Sequence, residues 1–516
     1  MFLSGQSGCG WRKKNLKEPV RMNIKEAKQE IKNTVRAYLQ KDESGEYRIP
    51  AIRQRPVLLM GPPGIGKTQI MEQIARECGI ALVAYTITHH TRQSAVGLPF
   101  IREEIFDGKT YSVTEYTMSE IIASIHRKMR ETGLLQGILF IDEINCVSET
   151  LAPTMLQFLQ CKTFGNQEIP KGWIIVAAGN PPEYNRSVRE FDMVTLDRVR
   201  RMDITSDYQV WKEYARKAEV HNALLSYLEI RPKNFYRVEA DVDGLQFVTA
   251  RGWEDLSELL KSYEALEIPV TTDIVYEFLR HGDVAEDVAA YIDLYQKYQD
   301  DYGIEEILQG NTKSDVYRRL AQAEFDERLS VVNLLFDGLL QGMRKVQEEK
   351  RLTDAWYLFL KEYRSLVEQA KNTKECYESL LSEKTAEYEQ KKGAGLYTRK
   401  EEAFWKKFFV CLRDAVPSGQ EPAEESFLQA KEAFDRQRGQ LEDTRKTAAK
   451  MLENAFDFME GAFPDGEEMV IFVTDLTITP ECALFLSEFN CERYQKYNKE
   501  LLIGSRRREL LSELGR

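Results

Sequence analysis

The sequence predicts an α/β domain built on a parallel sheet covered by helices, followed by a long helical region. Between residues 55 and 204, short apolar runs alternate with helical stretches. Runs that are apolar throughout indicate strands buried on both faces, as in a parallel sheet. The four runs that we interpret as strands are Val57–Met60, Leu82–Ile87, Ile138–Ile141 and Ile174–Ala177.

Helical periodicity dominates the rest of the chain. From about residue 206 to 310 the helical segments are short and closely connected, and from about 311 onward they are long. Apolar residues from Phe325 to Val346 alternate steps of four and three, which is typical of partly coiled helices in a bundle. Thr398 followed by Glu401 indicates a capping box at the start of a later helix.

These patterns divide the chain into four predicted segments. Residues 1–21 are polar and irregular, and we expect them to be a disordered leader or to precede the true start at Met22. The other segments are an α/β domain over 22–205, a smaller helical domain over 206–310, and a helical bundle or coiled domain over 311–516.

The composition restricts the classes of partner. The chain has 516 residues, with 71 basic and 83 acidic side chains and a formal net charge of −12. This balance argues against a general nucleic-acid coat, which needs a basic surface to displace counterions. We find no run of about 20 apolar residues and expect no membrane span. The scattered cysteines and histidines lack ligand spacing, which favours reduced thiols, a cytoplasmic location and no His/Cys metal cluster.

The segment after the first predicted strand carries the strongest motif. It matches G-x-x-x-x-G-K-[ST] and lies between a strand and a helix, the context that the motif requires. Its glycines let successive N–H groups turn towards phosphate oxygens, and the helix N-terminus adds partial positive charge. We expect Lys67 to bridge the β- and γ-phosphates and Thr68 to bind Mg²⁺; the alternative is a chance glycine-rich turn. The motif residues are Gly61, Pro62, Pro63, Gly64, Ile65, Gly66, Lys67 and Thr68.

Polar residues end two of the other predicted strands. Asp142 and Glu143 follow the strand that begins at Gly137. From there Asp142 can bind the magnesium ion, and Glu143 can orient and polarise an attacking water molecule; the alternative is a solvated acidic turn. Asn180 follows the next strand, and its amide could bind the γ-phosphate or the nucleophilic water, or simply begin an Asn-Pro turn.

Arginines provide two further candidates. In the basic cluster that contains Arg198, Arg200 and Arg201, a guanidinium near the γ-phosphate would offset the charge of the transferring group. The alternative for this cluster is a solvated helix end. Arg251 begins a helix in the second domain and could close that domain onto the nucleotide, or form a surface salt bridge.

The order of these motifs resembles that of AAA+ ATPases, and within them the MoxR-type branch, also described as dynein-related AAA domains. The resemblance covers roughly residues 30–290 and implies a P-loop αβα sandwich followed by an all-α lid domain. It implies that Gly61–Thr68 is Walker A, that Asp142 and Glu143 are Walker B, and that Asn180 is sensor 1.

The same resemblance assigns the arginines and two predicted hairpins. Arg198 resembles the arginine finger, and Arg251 resembles sensor 2. A hairpin with an Asp107-Gly108 turn lies where this branch carries its helix-2 insert. A second hairpin, with a Gly165-Asn166 turn, lies where the branch carries its pre-sensor-1 hairpin.

Three features depart from the family. Val199 replaces the usual aromatic residue after Leu-Asp-Arg, so that Arg200 and Arg201 compete for the finger role. Ala250 replaces the usual proline before the sensor 2 arginine. Residues 311–516 extend beyond the usual end of this branch and match no module that we can name.

The resemblance implies an ATPase that uses ATP and Mg²⁺ and works as a homo-oligomeric ring, a hexamer in this family. It further implies a chaperone-like role in remodelling or maturing a partner that carries a von Willebrand factor type A domain or needs a metal or cofactor inserted. ATP is preferred to GTP because Asn498–Leu501 lacks the aspartate of a guanine-reading motif. Two alternatives stay open, an AAA+ nucleic-acid motor or initiator and a non-hydrolysing, ATP-gated scaffold.

Overall fold

The chain divides into two compact units, Met1–Asp207 and Tyr208–Arg516. The structure is a computed structural model that describes residues 21–501, except 90, 165–166, 185–187, 189–190, 242–243, 368–371, 419–421 and 465. The predicted leader, apart from Arg21, and the predicted Gly165-Asn166 turn therefore lie outside the described residues.

The first unit alternates strands and helices, as the sequence predicts for an α/β domain. Its strands are β1 (Arg21–Met22), β2 (Val57–Met60), β3 (Ala81–Thr86), β4 (Pro99–Phe106), β5 (Lys109–Tyr116), β6 (Gly137–Asp142), β7 (Thr163–Phe164), β8 (Gln167–Glu168), β9 (Trp173–Gly179) and β10 (Arg200–Ile204). Its helices are α1 (Ile24–Leu39), α2 (Lys67–Cys78), α3 (Arg92–Val96), α4 (Glu120–Thr132), α5 (Ala152–Cys161) and α6 (Met193–Leu196).

Six strands form one sheet in the order β1-β10-β2-β9-β6-β3, and every neighbouring pair is parallel. The predicted parallel sheet with flanking helices is thereby confirmed, and all four predicted strands belong to it. Strands β2 and β9 are buried along their whole length, because helices cover both faces. Since the strands are parallel, the carboxyl ends of β2, β9 and β6 meet at one edge of the sheet, where α/β proteins bind ligands.

Strand β10 excludes the helix-end alternative for Arg200 and Arg201, whereas Arg198 lies two residues after the end of α6. Arg200 and Arg201 pair with residues of β2 instead. Met202 and Ile204 are buried, whereas Arg201 is exposed. This two-residue alternation of apolar and charged side chains is a strand signal that the arginine-rich composition concealed.

Two antiparallel hairpins interrupt the α/β alternation of the first unit. Strands β4 and β5 pair along their whole length. The predicted turn at Asp107 and Gly108 is confirmed, with φ values of 50° and 76°. Strands β7 and β8 also pair antiparallel, on either side of the second predicted turn.

The second unit is mainly helical. Its helices are α7 (Tyr208–Lys217), α8 (Asn222–Ile230), α9 (Ala250–Ala265), α10 (Thr272–Phe278), α11 (Gly282–Tyr302), α12 (Ile304–Leu308), α13 (Ser314–Leu320), α14 (Phe325–Val367), α15 (Thr373–Gly393), α16 (Arg399–Asp414), α17 (Ala423–Ala462), α18 (Glu467–Ile478) and α19 (Pro480–Glu488). Strands β11 (Arg237–Asp241) and β12 (Gly244–Val248) pair antiparallel, which corrects the expectation of an all-helical lid. The missed signal is the Asp243-Gly244 pair between two alternating stretches.

The core of the second unit contains helices that come before residue 310 in the sequence and helices that come after it. One continuous apolar cluster runs from Trp211 to Cys491, and the stepped residues of α14, such as Phe336 and Met343, are buried in it. A second cluster, from Leu352 to Phe434, packs the far end of α14 against α15, α16 and α17. The division of this unit into a lid and a separate bundle stays a prediction.

Within the described residues, no single helix is long and apolar enough to cross a membrane. Helices α18 and α19 reach the required length and hydropathy only together, across a bend of 84°.

Candidate functional site

The loop between β2 and α2 has a backbone that depends on glycine. Gly64 and Gly66 have φ values of 73° and 88°, in the left-handed region that side chains disfavour. A Cβ on Gly61 would lie 2.8 Å from the carbonyl oxygen of Ile204. The loop thus keeps its shape only with glycine at these positions, and it leads directly into the N-terminus of α2, which favours anions.

Lys67, the first residue of α2, is buried and directs its ammonium group back over this loop. Its Nζ donates to the carbonyl oxygens of Gly61 and Pro62, each at 2.8 Å. The same Nζ donates at 2.8 Å to Oδ1 of Asn180, which follows strand β9. Two motifs that lie more than 100 residues apart in sequence therefore meet at one ammonium group.

The next residue connects the loop to a third motif. The Thr68 hydroxyl donates to Oδ2 of Asp142 at 3.0 Å, and the other oxygen of Asp142 accepts from the backbone N–H of Glu143 at 2.9 Å. A hydroxyl beside a carboxylate is an oxygen donor set of the kind that Mg²⁺ prefers. The residues present therefore fit a magnesium ion, although no cluster of three or more His, Cys, Asp or Glu residues able to hold a metal occurs among the described residues.

Glu143 occupies an uncommon backbone conformation, with φ 56° and ψ 34°. A non-glycine residue in the left-handed region is strained, and such strain occurs often at functional sites. Its Oε2 accepts from Oγ1 of Thr88 at 3.1 Å, just beyond strand β3. Thr88 thereby holds the side chain that the sequence predicts to orient water. The sequence analysis missed Thr88, because a lone threonine after a strand carries no motif signal.

A short 3₁₀ turn, Ile144–Cys146, follows the acidic pair. Nδ2 of Asn145 donates to the backbone carbonyl of Asn180 at 2.8 Å. Burial, reinforced by the neighbouring carboxylates of Glu143 and Asp142, raises the pKa of the Cys146 thiol. That thiol therefore stays protonated at neutral pH and is a poor nucleophile.

The three candidate finger arginines differ in their contacts. Arg198 is exposed and donates to Oε1 of Gln160, at the end of α5. Arg200 is held by Glu30 and Thr34 of α1, at 2.6 and 2.7 Å.

Arg201 donates to its neighbour in the same strand, Asp203, at 2.8 Å. Arg200 and Arg201 thus have acidic partners within the chain, whereas Arg198 donates to a neutral, exposed amide.

Arg251 belongs to the second unit. It is exposed in the first turn of α9, which is capped by Thr249, whose hydroxyl accepts from the N–H of Gly252 at 3.3 Å. Within the first unit, hydrogen bonds join Lys67, Thr68 and the polar residues that end β6 and β9 into one group. Arg198 is bonded to Gln160 and not to this group, among the described residues.

Comparisons with known proteins agree with this geometry. The family model described as "ATPase family associated with various cellular activities (AAA)" matches residues 57–197, which run from β2 to the end of α6. No curated protein matches the chain. The match supports ATP-binding ATPase activity for this segment. Together with the parallel sheet and the glycine-rich loop, it identifies residues 57–197 as part of a P-loop αβα domain of the AAA type.

Proposed function

We propose that the chain binds ATP with Mg²⁺ and hydrolyses it at the carboxyl edge of the first unit's sheet. The backbone amides of Gly64, Ile65 and Gly66 and the Lys67 ammonium bind the phosphates. Thr68 and Asp142 would hold Mg²⁺, which would supply positive charge to offset that of the phosphates. Glu143 orients the attacking water, and Asn180 contacts that water or the γ-phosphate.

The observation that carries this proposal is the pair of contacts Lys67–Asn180 and Thr68–Asp142. They bring an ammonium, an amide, a hydroxyl and a carboxylate together beside a glycine-rich loop. Phosphoryl transfer needs little covalent chemistry from the protein, and its catalysis consists mainly of positioning and charge neutralisation. This set of groups supplies both.

The remaining roles extend the proposal to the assembly. Arg198 acts as an arginine finger on the nucleotide of a neighbouring subunit, in a homo-oligomeric ring of MoxR type that is hexameric. Arg251 acts as sensor 2 and couples the second unit to the state of the nucleotide. In the cytoplasm, the ring remodels or matures a partner protein, with a von Willebrand factor type A domain as the expected partner class. The resemblance of the motif order supports these finer assignments.

The test uses two substitutions in the full chain. Lys67→Ala should abolish binding of a fluorescent ATP analogue, because the loop loses the buried ammonium that we expect to contact the phosphates. Glu143→Gln should keep ATP affinity within about threefold and lower kcat by about 100-fold, because a positioned base is lost.

Lys171→Ala and Glu168→Gln are matched controls, because both side chains are exposed. Wild-type turnover in Glu143→Gln, measured as phosphate release with Mg²⁺ present, would contradict the role of this residue. Failure of the wild-type chain to bind ATP in calorimetry would contradict the whole proposal.

A further inference from the structure

Asn145 is a buried amide beside the proposed ATP site. It lies two residues after Glu143, and only 2% of its surface is exposed. The turn that places it begins with the left-handed backbone of Glu143 and closes with a hydrogen bond of 2.8 Å from the N–H of Cys146 to the Glu143 carbonyl. The chain therefore reverses directly after the acidic pair and returns the Asn145 side chain towards strand β9.

The orientation of this amide is set by its partner. Nδ2 of Asn145 donates to the backbone carbonyl of Asn180 at 2.8 Å. A flipped amide would place Oδ1 against the same carbonyl oxygen, and two acceptors repel each other. Oδ1 of Asn145 is buried and has no hydrogen-bond partner among the described residues. Such an atom destabilises a fold, so its presence calls for a compensating role.

The unpartnered oxygen of Asn145 occupies the space that a side chain at Gly179 would need. A Cβ on Gly179 would lie 2.5 Å from that Oδ1, closer than any real contact. The carbonyl oxygen of Gly179 accepts from the N–H of Gly61 at 3.3 Å, at the start of the glycine-rich loop. The pair Asn145–Gly179 therefore lies where the acidic turn, strand β9 and the phosphate loop meet.

We propose that Asn145 is a positioning residue: it holds the backbone of Asn180 so that the Asn180 side chain faces the Lys67 ammonium. The backbone carbonyl of Asn180 is held by Asn145, and its side-chain oxygen accepts from Lys67. The backbone of Asn180 is thus held by a residue of the acidic turn, and its side chain is held by Lys67 at the end of the phosphate loop. This inference rests on the proposed function, because it assigns a residue that aligns the same ATP site.

The competing explanation is that Asn145 only fills space. An apolar residue of similar size would fill the same volume without burying an unpartnered oxygen, and replacing a buried polar group by an apolar one of equal shape is often tolerated. A space-filling residue would change the melting temperature when truncated. It would leave the turnover of the folded protein unchanged.

The experiment compares Asn145→Ala and Asn145→Asp with wild type. The aspartate keeps the shape and removes the Nδ2 donor, so both variants should lower kcat by about tenfold while ATP affinity changes less than about threefold. Asn333→Ala is the matched control, because Asn333 is a buried amide of the second unit that donates to Ser226 at 2.8 Å. It should lower the melting temperature and leave kcat unchanged.

Two double variants separate the hydrogen bond from packing. Asn145→Ala combined with Asn180→Ala should be no slower than Asn180→Ala alone, within about twofold, because residues that act through one another are not additive. Gly179→Ala should lower both stability and kcat. Adding Asn145→Ala should restore the melting temperature by removing the clash, without restoring kcat.

The outcomes distinguish this inference from the proposed function. If wild type turns over ATP and Asn145→Ala turns it over equally fast, Asn145 is not a positioning residue and the proposed function stands. Additive effects of Asn145→Ala and Asn180→Ala would also overturn the inference. If wild type neither binds nor hydrolyses ATP, the proposed function itself fails.

Discussion

Thr88 is a side chain that holds the proposed water-orienting carboxylate. Its hydroxyl donates to Oε2 of Glu143 at 3.1 Å, and Thr88 itself is exposed at the end of β3. A carboxylate held by one hydrogen bond keeps a narrower range of rotamers than a free one, and a general base depends on such geometry. Thr88 therefore affects the rate through the position of Glu143.

We predict that Thr88→Val lowers kcat by about tenfold and leaves ATP affinity unchanged, because valine keeps the shape and removes the donor. Thr88→Ser keeps the hydroxyl and should retain most of the activity. Steady-state phosphate release and calorimetric ATP binding check both variants. A Thr88→Val protein as fast as wild type would show that Glu143 is oriented by other groups.

Asp337 is a buried carboxyl group on α14 in the second unit. Tyr295 donates to its Oδ2 at 2.8 Å. Burial raises the pKa of Asp337 to about 7, and the Tyr295 hydrogen bond and the nearby Arg216 only partly oppose this effect. In the unfolded chain the same group has an ordinary pKa near 4.

A raised carboxyl pKa makes the folded state bind more protons than the unfolded state. The stabilisation from the protonated form is complete below pH 4 and is lost as the pH rises through 7. We predict that the unit loses about 3 kcal/mol of stability from this group between pH 4.5 and 7.5. Asp337→Asn should remove that part of the pH dependence in urea unfolding, and an unchanged pH profile would contradict the prediction.

At the scale of single elements, α16 illustrates how local sequence sets a helix start. The Thr398 hydroxyl accepts from the N–H of Glu401 at 3.2 Å, and Oε2 of Glu401 accepts from the N–H of Thr398 at 2.7 Å. The predicted capping box is confirmed. Both bonds satisfy N–H groups that have no partner within the helix.

We predict that Thr398→Ala destabilises the second unit by about 1 kcal/mol, because one capping bond is lost and the reciprocal one loses its geometry. Thr447→Ala is the control, because Thr447 is exposed within α17, where alanine is the better helix former. Thermal unfolding should show a lower midpoint for Thr398→Ala and an unchanged or slightly higher one for Thr447→Ala. Equal midpoints for the two variants would contradict the capping role.

The hairpin of β4 and β5 shows that a sequence pattern can predict strands without predicting which of their faces is buried. Its strands and turn follow from alternating residues around Asp107 and Gly108. Ile101 and Ile105 are nevertheless about three-quarters exposed, at 76% and 73%. Alternation predicts pairing between strands, but only packing decides whether a face is covered.

At the scale of the whole molecule, the arginine contacts bear on assembly. Arg200 is tied to α1 and Arg201 to Asp203, whereas Arg198 is exposed and bonded to Gln160. Arg201 is exposed as well but is paired with Asp203, which leaves Arg198 as the candidate that another subunit can use. The proposed ring predicts that its active site is complete only between subunits.

We predict that Arg198→Ala retains ATP binding and loses turnover, and that mixing it with Lys67→Ala subunits restores part of the activity. In the mixture, some intact nucleotide sites meet an intact finger on the neighbouring subunit. Arg201→Ala is the matched control and should keep wild-type turnover. A mixture that is no more active than the separate variants would argue against a shared site.

The second unit depends on contacts between distant parts of the chain. Arg216 of α7 contacts Asp475 of α18 at 2.9 Å and Glu229 of α8 at 3.3 Å. Lys212 pairs with the same two acids. All four side chains are largely shielded from water, so removing one would leave an uncompensated buried charge, which is strongly destabilising.

The sequence by itself determined the parallel sheet, the hairpin at Asp107-Gly108 and the cap of α16. It also determined that Lys67 follows a glycine-rich loop and that Asp142, Glu143 and Asn180 stand at the ends of buried strands. These features depend on neighbours within a few residues, so periodicity, turn chemistry and motif spacing encode them directly. The roles of the predicted site residues stay predictions until they are measured.

Tertiary structure alone decided the partners of those residues. The contacts of Thr88 with Glu143 and of Asn145 with Asn180, like the burial of Asp337, join or surround segments that are distant in sequence. Strand order and helix packing bring them together, and no local pattern records either. The place of β10 between β1 and β2 was likewise decided by pairing with segments that are distant in sequence.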